Sequence, residues 1–141
     1  MYRTLKPGGS FALAVWGGPE TMTTLRWAYD ALKDRLPEDK HPPLAKATSL
    51  GHPGTLDGLL RQAGFNDYVI DSHIFHYDFP SFEVYWDLVE SSDILKLQYD
   101  AISEEQRHAA REEIKRFAAS YIQGGRLVVP HQYLLAKGRK T

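Results

Sequence analysis

Residues 5–18 read LKPGGSFALAVWGG, and this stretch limits the fold more than any other. Pro7, Gly8 and Gly9 make a tight turn that a helix cannot run through. The next seven residues, SFALAVW, show no polar alternation: Phe11, Leu13 and Val15 point to one side of an extended chain, Ala12, Ala14 and Trp16 to the other. A strand that is apolar on both sides is predicted to be covered on both, as in a parallel α/β sheet. Such a strand belongs inside a sheet, with a neighbour on each edge.

The rest of the chain alternates helix and strand signals. Met22, Leu25, Ala28, Tyr29, Leu32 and Leu36 recur at helical spacing, predicting a helix over about 22–36 that Pro37 stops. Residues 37–54 are rich in Pro, Gly and charge and read as loop. Thr55 is predicted to cap a short helix carrying Leu56, Leu59, Leu60 and Ala63, closed by a left-handed Gly64 with Phe65 folding back. DYVIDSHIFHYDF, residues 67–79, is β-branched and aromatic and reads as a long strand ending before Pro80. Ser81 opens a helix with Phe82, Tyr85, Trp86 and Val89 on one face, and Ile94, Leu95 and Tyr99 mark a second amphipathic stretch. Ser103 and Gln106 form a capping-box pattern for a helix carrying Ala110, Ile114, Phe117, Ala118 and Tyr121, with Gly124 and Gly125 as its stop. PHQYLLAKGRK reads as a final strand with a basic tail. The strand–helix–strand part predicts a parallel pair with a right-handed crossover. No linker marks a second domain, so residues 1–141 are expected to form one, with a helical insert at about 81–124.

Composition narrows the function classes. Lys plus Arg is 17 and Asp plus Glu 18, a net charge of −1, which gives no electrostatic reason to expect nucleic acid or an anionic membrane as partner. No apolar run reaches membrane-spanning length, and MYRTLKPGG has no apolar signal core. The absence of cysteine excludes disulfides, thiolate chemistry and cysteine-based metal sites, and fits a cytoplasmic protein.

YRTLKPGG before a strand, then LDGLLRQAGF before a long strand, then LLAKGRK at the end, resembles the C-terminal half of a class I S-adenosylmethionine-dependent methyltransferase. The similarity is to the small-molecule group that includes ubiquinone and menaquinone biosynthesis enzymes. It implies an α/β fold: half of a Rossmann-like sheet, with two parallel strands, the last strand antiparallel between them, and a helical lid. In that family a glycine-rich turn after the first strand, an acidic residue ending the second, and loops after the third and fourth hold the cofactor. This sequence has no strand followed by G-x-G-x-x-G, and Gly8-Gly9 precedes a strand rather than following one. The resemblance therefore implies S-adenosylmethionine in the intact family but none for this chain alone, and a partial, inactive substrate-side half. Two other readings stand beside it: a non-enzymatic small-ligand or protein-interaction module built on the same fold, and reconstitution with a separate N-terminal methyltransferase half.

The substrate-pocket candidates are Trp16 and Gly17 at the end of the first strand, Tyr85 and Trp86 on the lid-like helix, and His131 at the start of the last strand. For the aromatic residues the alternative is packing in a core. The expected ligand is small and apolar. No catalytic group and no metal site is assigned: His73 and His76 are three apart on a strand and point to opposite faces, and His41 and His52 have no ligand spacing. The acidic and basic residues at 104–116 read as a solvated helix face, with Glu112 paired to Arg116. Finally, if the first strand lacks one neighbour, its open edge predicts a homodimer through the strand from Phe11 to Trp16.

Overall fold

The protein is described by a computed structural model covering residues 1–93 and 95–141. Ile94, assigned from sequence to the second amphipathic stretch, lies outside the described residues. The strands are β1 (Ser10–Trp16), β2 (Asp67–Phe79), β3 (Ile122–Gln123) and β4 (Arg126–Arg139). The helices are α1 (Thr23–Leu32), α2 (Leu44–Ala47), α3 (Thr55–Gln62), α4 (Phe82–Ser91), α5 (Lys96–Asp100) and α6 (Glu104–Ala118). The chain divides into two compact units: Met1–Met22, Ala45–Phe75 and His131–Thr141 form the first, Thr23–Leu44 and His76–Pro130 the second.

The sheet has four strands, not three, in the order β1-β4-β2, with β3 pairing β4 off that path. β4 runs antiparallel to β1, pairing Ser10 with Arg139 and Trp16 with Tyr133. It also runs against β2, since Gly138 lies beside Asp67 and Tyr68 while Gln132 bonds Ser72 and Arg126 bonds Asp78. The parallel β1–β2 pair read from the strand–helix–strand pattern is therefore not a bonded pair. β4 lies between them, and the bonding is antiparallel.

In the first unit, Phe11, Leu56, Leu60, Phe65 and Ala136 form the core, with Leu13, Val15, Tyr68, Ile70 and Leu134 packed against it. Phe65 is its centre, fully buried and 4.4 Å from the Phe11 ring. Gly64 places it there: at φ +97° it reverses the chain after α3, and the Phe65 amide donates to the Leu60 carbonyl at 3.0 Å. The expectation that β1 is covered on both faces is corrected: Phe11, Leu13 and Val15 meet the core, whereas Ser10, Ala12, Ala14 and Trp16 are exposed. The side chains of Ala12 and Ala14 are too small for their apolar character to report burial. The N-cap of α3 is Gly54 at φ +77°, with no side-chain cap, rather than Thr55.

In the second unit the apolar faces of α1, α4, α5 and α6 enclose Trp27, Leu32, Phe82, Tyr85, Trp86, Val89, Tyr99 and Ile114. α1 is shorter than the periodicity suggested, ending at Leu32, with Leu36 buried beyond it. Ser81 caps α4 by accepting from the Val84 amide at 3.3 Å, and Ser103 and Gln106 close a reciprocal box at the start of α6. Gly124 and Gly125 do not stop α6, which ends at Ala118. At φ +55° and +80° they form the two-residue turn of the β3–β4 hairpin, where Gln123 pairs with Arg126. Because that turn begins β4 early, the last strand starts at Arg126, five residues before His131.

Candidate functional site

The carboxyl end of β1 is built by close backbone contact. The Gly17 amide donates to the Gln132 carbonyl at 2.8 Å, and the Thr21 amide and hydroxyl both donate to the Gly18 carbonyl. Met22 makes an isolated bridge to His131. The segment around Gly51 crosses directly on Gly17, so that a Cβ on Gly51 would overlap the Gly17 carbonyl group and the Gly18 nitrogen. Gly17 is constrained from its other side, where a Cβ would strike Thr21 Oγ1 and the Gln132 side chain. Glycine is required at both positions by this contact, and both φ angles are ordinary.

Three sequence candidates, Trp16, Gly17 and His131, meet at this end. Trp16 is 37% exposed while His131 is 1% exposed, and their rings lie 6.2 Å apart. Tyr133 lies opposite Trp16 in the ladder, and its ring stacks on His73 at 5.2 Å and 20°. Below it, Gln132 Nε2 donates to Ser72 Oγ at 2.7 Å. The result is a rung of Trp16, Tyr133 and His73 on the sheet face away from α3. Sequence reading missed Tyr133 and His73 because their partnership is a matter of cross-strand register. The alternation of β4 was the only available signal.

Tyr85 and Trp86 are placed in the core of the second unit, at 3% and 6% exposure. Tyr85 meets Trp27, Phe79 and Phe82 at ring distances of 5.4–6.0 Å, and Trp86 meets Tyr99 at 5.3 Å. The stripe serves packing here. The hydroxyls of Tyr85 and Tyr99 are buried without a hydrogen-bond partner among the described residues, and burial pushes both phenols far up. The Arg111 guanidinium sits over the Phe82 and Trp86 rings at 5.4 and 5.8 Å.

A separate open groove of about 320 Å³ lies at the opposite end of β1, lined by Ser10, Asp67, Val69, Lys137 and Arg139 among others. Lys137 Nζ lies 3.7 Å from Asp71. Among the described residues no group of three His, Cys, Asp or Glu side chains could hold a metal ion, and no helix is long and apolar enough to cross a membrane. Glu112 pairs with Arg111 at 3.1 Å rather than with Arg116.

No protein-family model and no curated protein matches the chain. Among solved structures it is similar to a candidate methyltransferase from Bacillus halodurans C-125, at 22% identity and a TM-score of 0.46. The match covers 99% of this chain and 59% of that one, so the chain spans about three fifths of that structure's length.

Proposed function

We propose that these 141 residues form the substrate-side part of an S-adenosylmethionine-dependent small-molecule methyltransferase fold and do not hold the cofactor by themselves. The sheet order is the observation that carries this reading. The motifs LKPGG, QAGF and LLAKGRK imply a last strand inserted antiparallel between two earlier ones, and β4 lies between β1 and β2 and runs against both.

The glycine pairs present do not fit S-adenosylmethionine. A cradle needs free amides turned outward. The Gly8 amide donates to Lys140 O at 2.8 Å and the Gly9 amide to Lys6 O at 2.9 Å. Gly17 spends its amide on Gln132, and the Gly51 segment occupies the space beside it. What the residues offer instead is a surface for the acceptor. Trp16 presents a ring at the carboxyl end of a strand, where open α/β sheets bind ligands, with His131 close beneath. Methyl transfer depends largely on positioning and dehydration of the acceptor, which such a surface supplies without a protein nucleophile.

Calorimetric titration of the 141-residue chain with S-adenosylmethionine tests the reading. No saturable heat is expected, and a specific micromolar affinity overturns it. The groove at the far end of β1 favours a second reading, a non-enzymatic binding module. Binding of a small apolar fluorophore that is lost in Val69→Lys but kept in Trp16→Ala supports that module, and the reverse pattern supports the acceptor surface.

A further inference from the structure

We infer that Lys140 is a charge latch: its ammonium fastens residues 1–9 to the end of β4, and removing that charge releases them from the sheet. Tyr2–Thr4 make a single 3₁₀ turn. The Thr4 and Leu5 amides both donate to the Met1 carbonyl, so the turn leaves the Tyr2 and Leu5 carbonyls to another donor. Lys140 Nζ supplies it from 138 and 135 residues away, donating to Tyr2 O and to Leu5 O, each at 3.0 Å. The same nitrogen lies 4.6 Å from the centre of the Tyr2 ring. An ammonium has three N–H donors, and this one meets two carbonyls and a ring face.

The backbone closes the same contact. The Gly8 amide donates to Lys140 O at 2.8 Å, and the Lys140 amide donates to Gly9 O at 2.9 Å. LKPGG and GRK stand at opposite ends of the sequence, yet they form one contact. Behind it the Tyr2 ring stands edge-on to Phe65 at 4.9 Å, and Tyr2 and Leu5 pack on the core around Phe11, Leu56 and Leu60. Without the ammonium, two carbonyls beside this core lose their donor, and the turn is held by its apolar contacts and the backbone pair alone. The neighbouring cations are engaged elsewhere: Lys137 reaches Asp71 at 3.7 Å, and Arg139 lines the groove beside Ser10. The acceptors are the last carbonyls of the turn, so residues added ahead of Met1 would lengthen it without giving them a donor.

Amide hydrogen exchange followed by magnetic resonance tests the latch. In Lys140→Met the Gly8 amide is expected to exchange roughly tenfold faster or more, while the Gly17 amide, at the other end of β1, keeps its rate. Lys137→Met removes a neighbouring cation and is expected to change neither. A Gly8 rate that is unchanged in Lys140→Met, or raised as much in Lys137→Met, overturns the inference. If Lys140→Met fails to fold, or speeds Gly17 as much as Gly8, acetylation of the native chain by N-acetoxysuccinimide decides. An ammonium held by two carbonyls must leave them to lose its proton and react. Lys140 is therefore expected to be labelled at least roughly tenfold more slowly than Lys137, read by peptide mass spectrometry. Slower labelling at Lys140 supports the latch, and labelling as fast as at Lys137 overturns it.

Discussion

In the first unit, one helix and a turn cover one face of the sheet, leaving Trp16, Val69, Ala12 and Ala14 in solvent and, among the described residues, only β4 bonded to β1. In the second, four helices close over Trp27, Phe82, Tyr85, Trp86 and Tyr99. The two units also differ in their open polar groups. In the first unit β1 turns backbone groups to an edge, where water or another strand can serve them. In the second, the Tyr85 and Tyr99 hydroxyls are sealed inside with no partner among the described residues. The first kind costs little until a partner arrives and then favours association, whereas the second is a standing cost in the folded state. Surface for recognition therefore lies in the thin unit, and stored instability in the thick one.

The largest expected effect attacks the thin layer. Phe65 joins α3 to β1 and has no second layer to fall back on, so Phe65→Ala is expected to cost about 3–5 kcal/mol. Chemical denaturation followed by circular dichroism measures it. A loss below about 1 kcal/mol would mean that the first unit does not depend on this one-sided core.

Gly51→Ala comes next, at about 1–3 kcal/mol, since the added methyl meets the Gly17 backbone rather than a side chain that can swing away. The same substitution at Gly58, where a Cβ meets nothing within 4 Å, is the control and should be neutral or stabilising. Because the overlap lies beside Trp16, Gly51→Ala should also change the Trp16 environment, read as a shift in tryptophan emission. An unchanged spectrum with unchanged stability would break the claim that glycine packing shapes this end of β1.

How much of this was legible depended on range. Local signals carried well: Gly64 reversing the chain into Phe65, Ser81 as a cap, the Ser103–Gln106 box, and β2 at its full length from Asp67 to Phe79. Gly124 and Gly125 were recognised as a stop but not as a hairpin turn. Two adjacent positive-φ residues signal an I′ turn only once both flanking segments are known to be strands. The burial of β1 was misjudged because Ala12 and Ala14 are apolar by type yet tolerate exposure. The site was harder still. Trp16, Gly17 and His131 could be singled out one at a time, but the register pairing Trp16 with Tyr133 and the contact of Gly51 on Gly17 join residues far apart in sequence. Tyr85 and Trp86 show the ambiguity of an aromatic stripe, whose helical spacing is the same for a core as for a ligand wall.

The smallest expected effect has the opposite sign and tests the thick unit. Tyr85 and Tyr99 each bury a hydroxyl with no partner among the described residues, so replacing it by hydrogen removes a desolvation cost without opening a cavity. Tyr85→Phe and Tyr99→Phe are each expected to raise stability by about 1 kcal/mol at neutral pH. The pH dependence follows from the same burial. In the unfolded chain a phenol ionises near about 10. In the folded chain burial holds both phenols neutral to higher pH. Folding then keeps protons that unfolding releases, so the native chain loses further stability as the pH rises above about 10, where the unfolded phenols ionise and the buried ones do not. The double variant should keep a flatter stability profile above that pH than the native chain. Midpoints of thermal unfolding compared at neutral and alkaline pH measure both effects. Phenylalanine variants that are less stable than the native chain at neutral pH would show that the hydroxyls are satisfied in the folded protein, and the contrast between the two units would then lie in their apolar coverage alone.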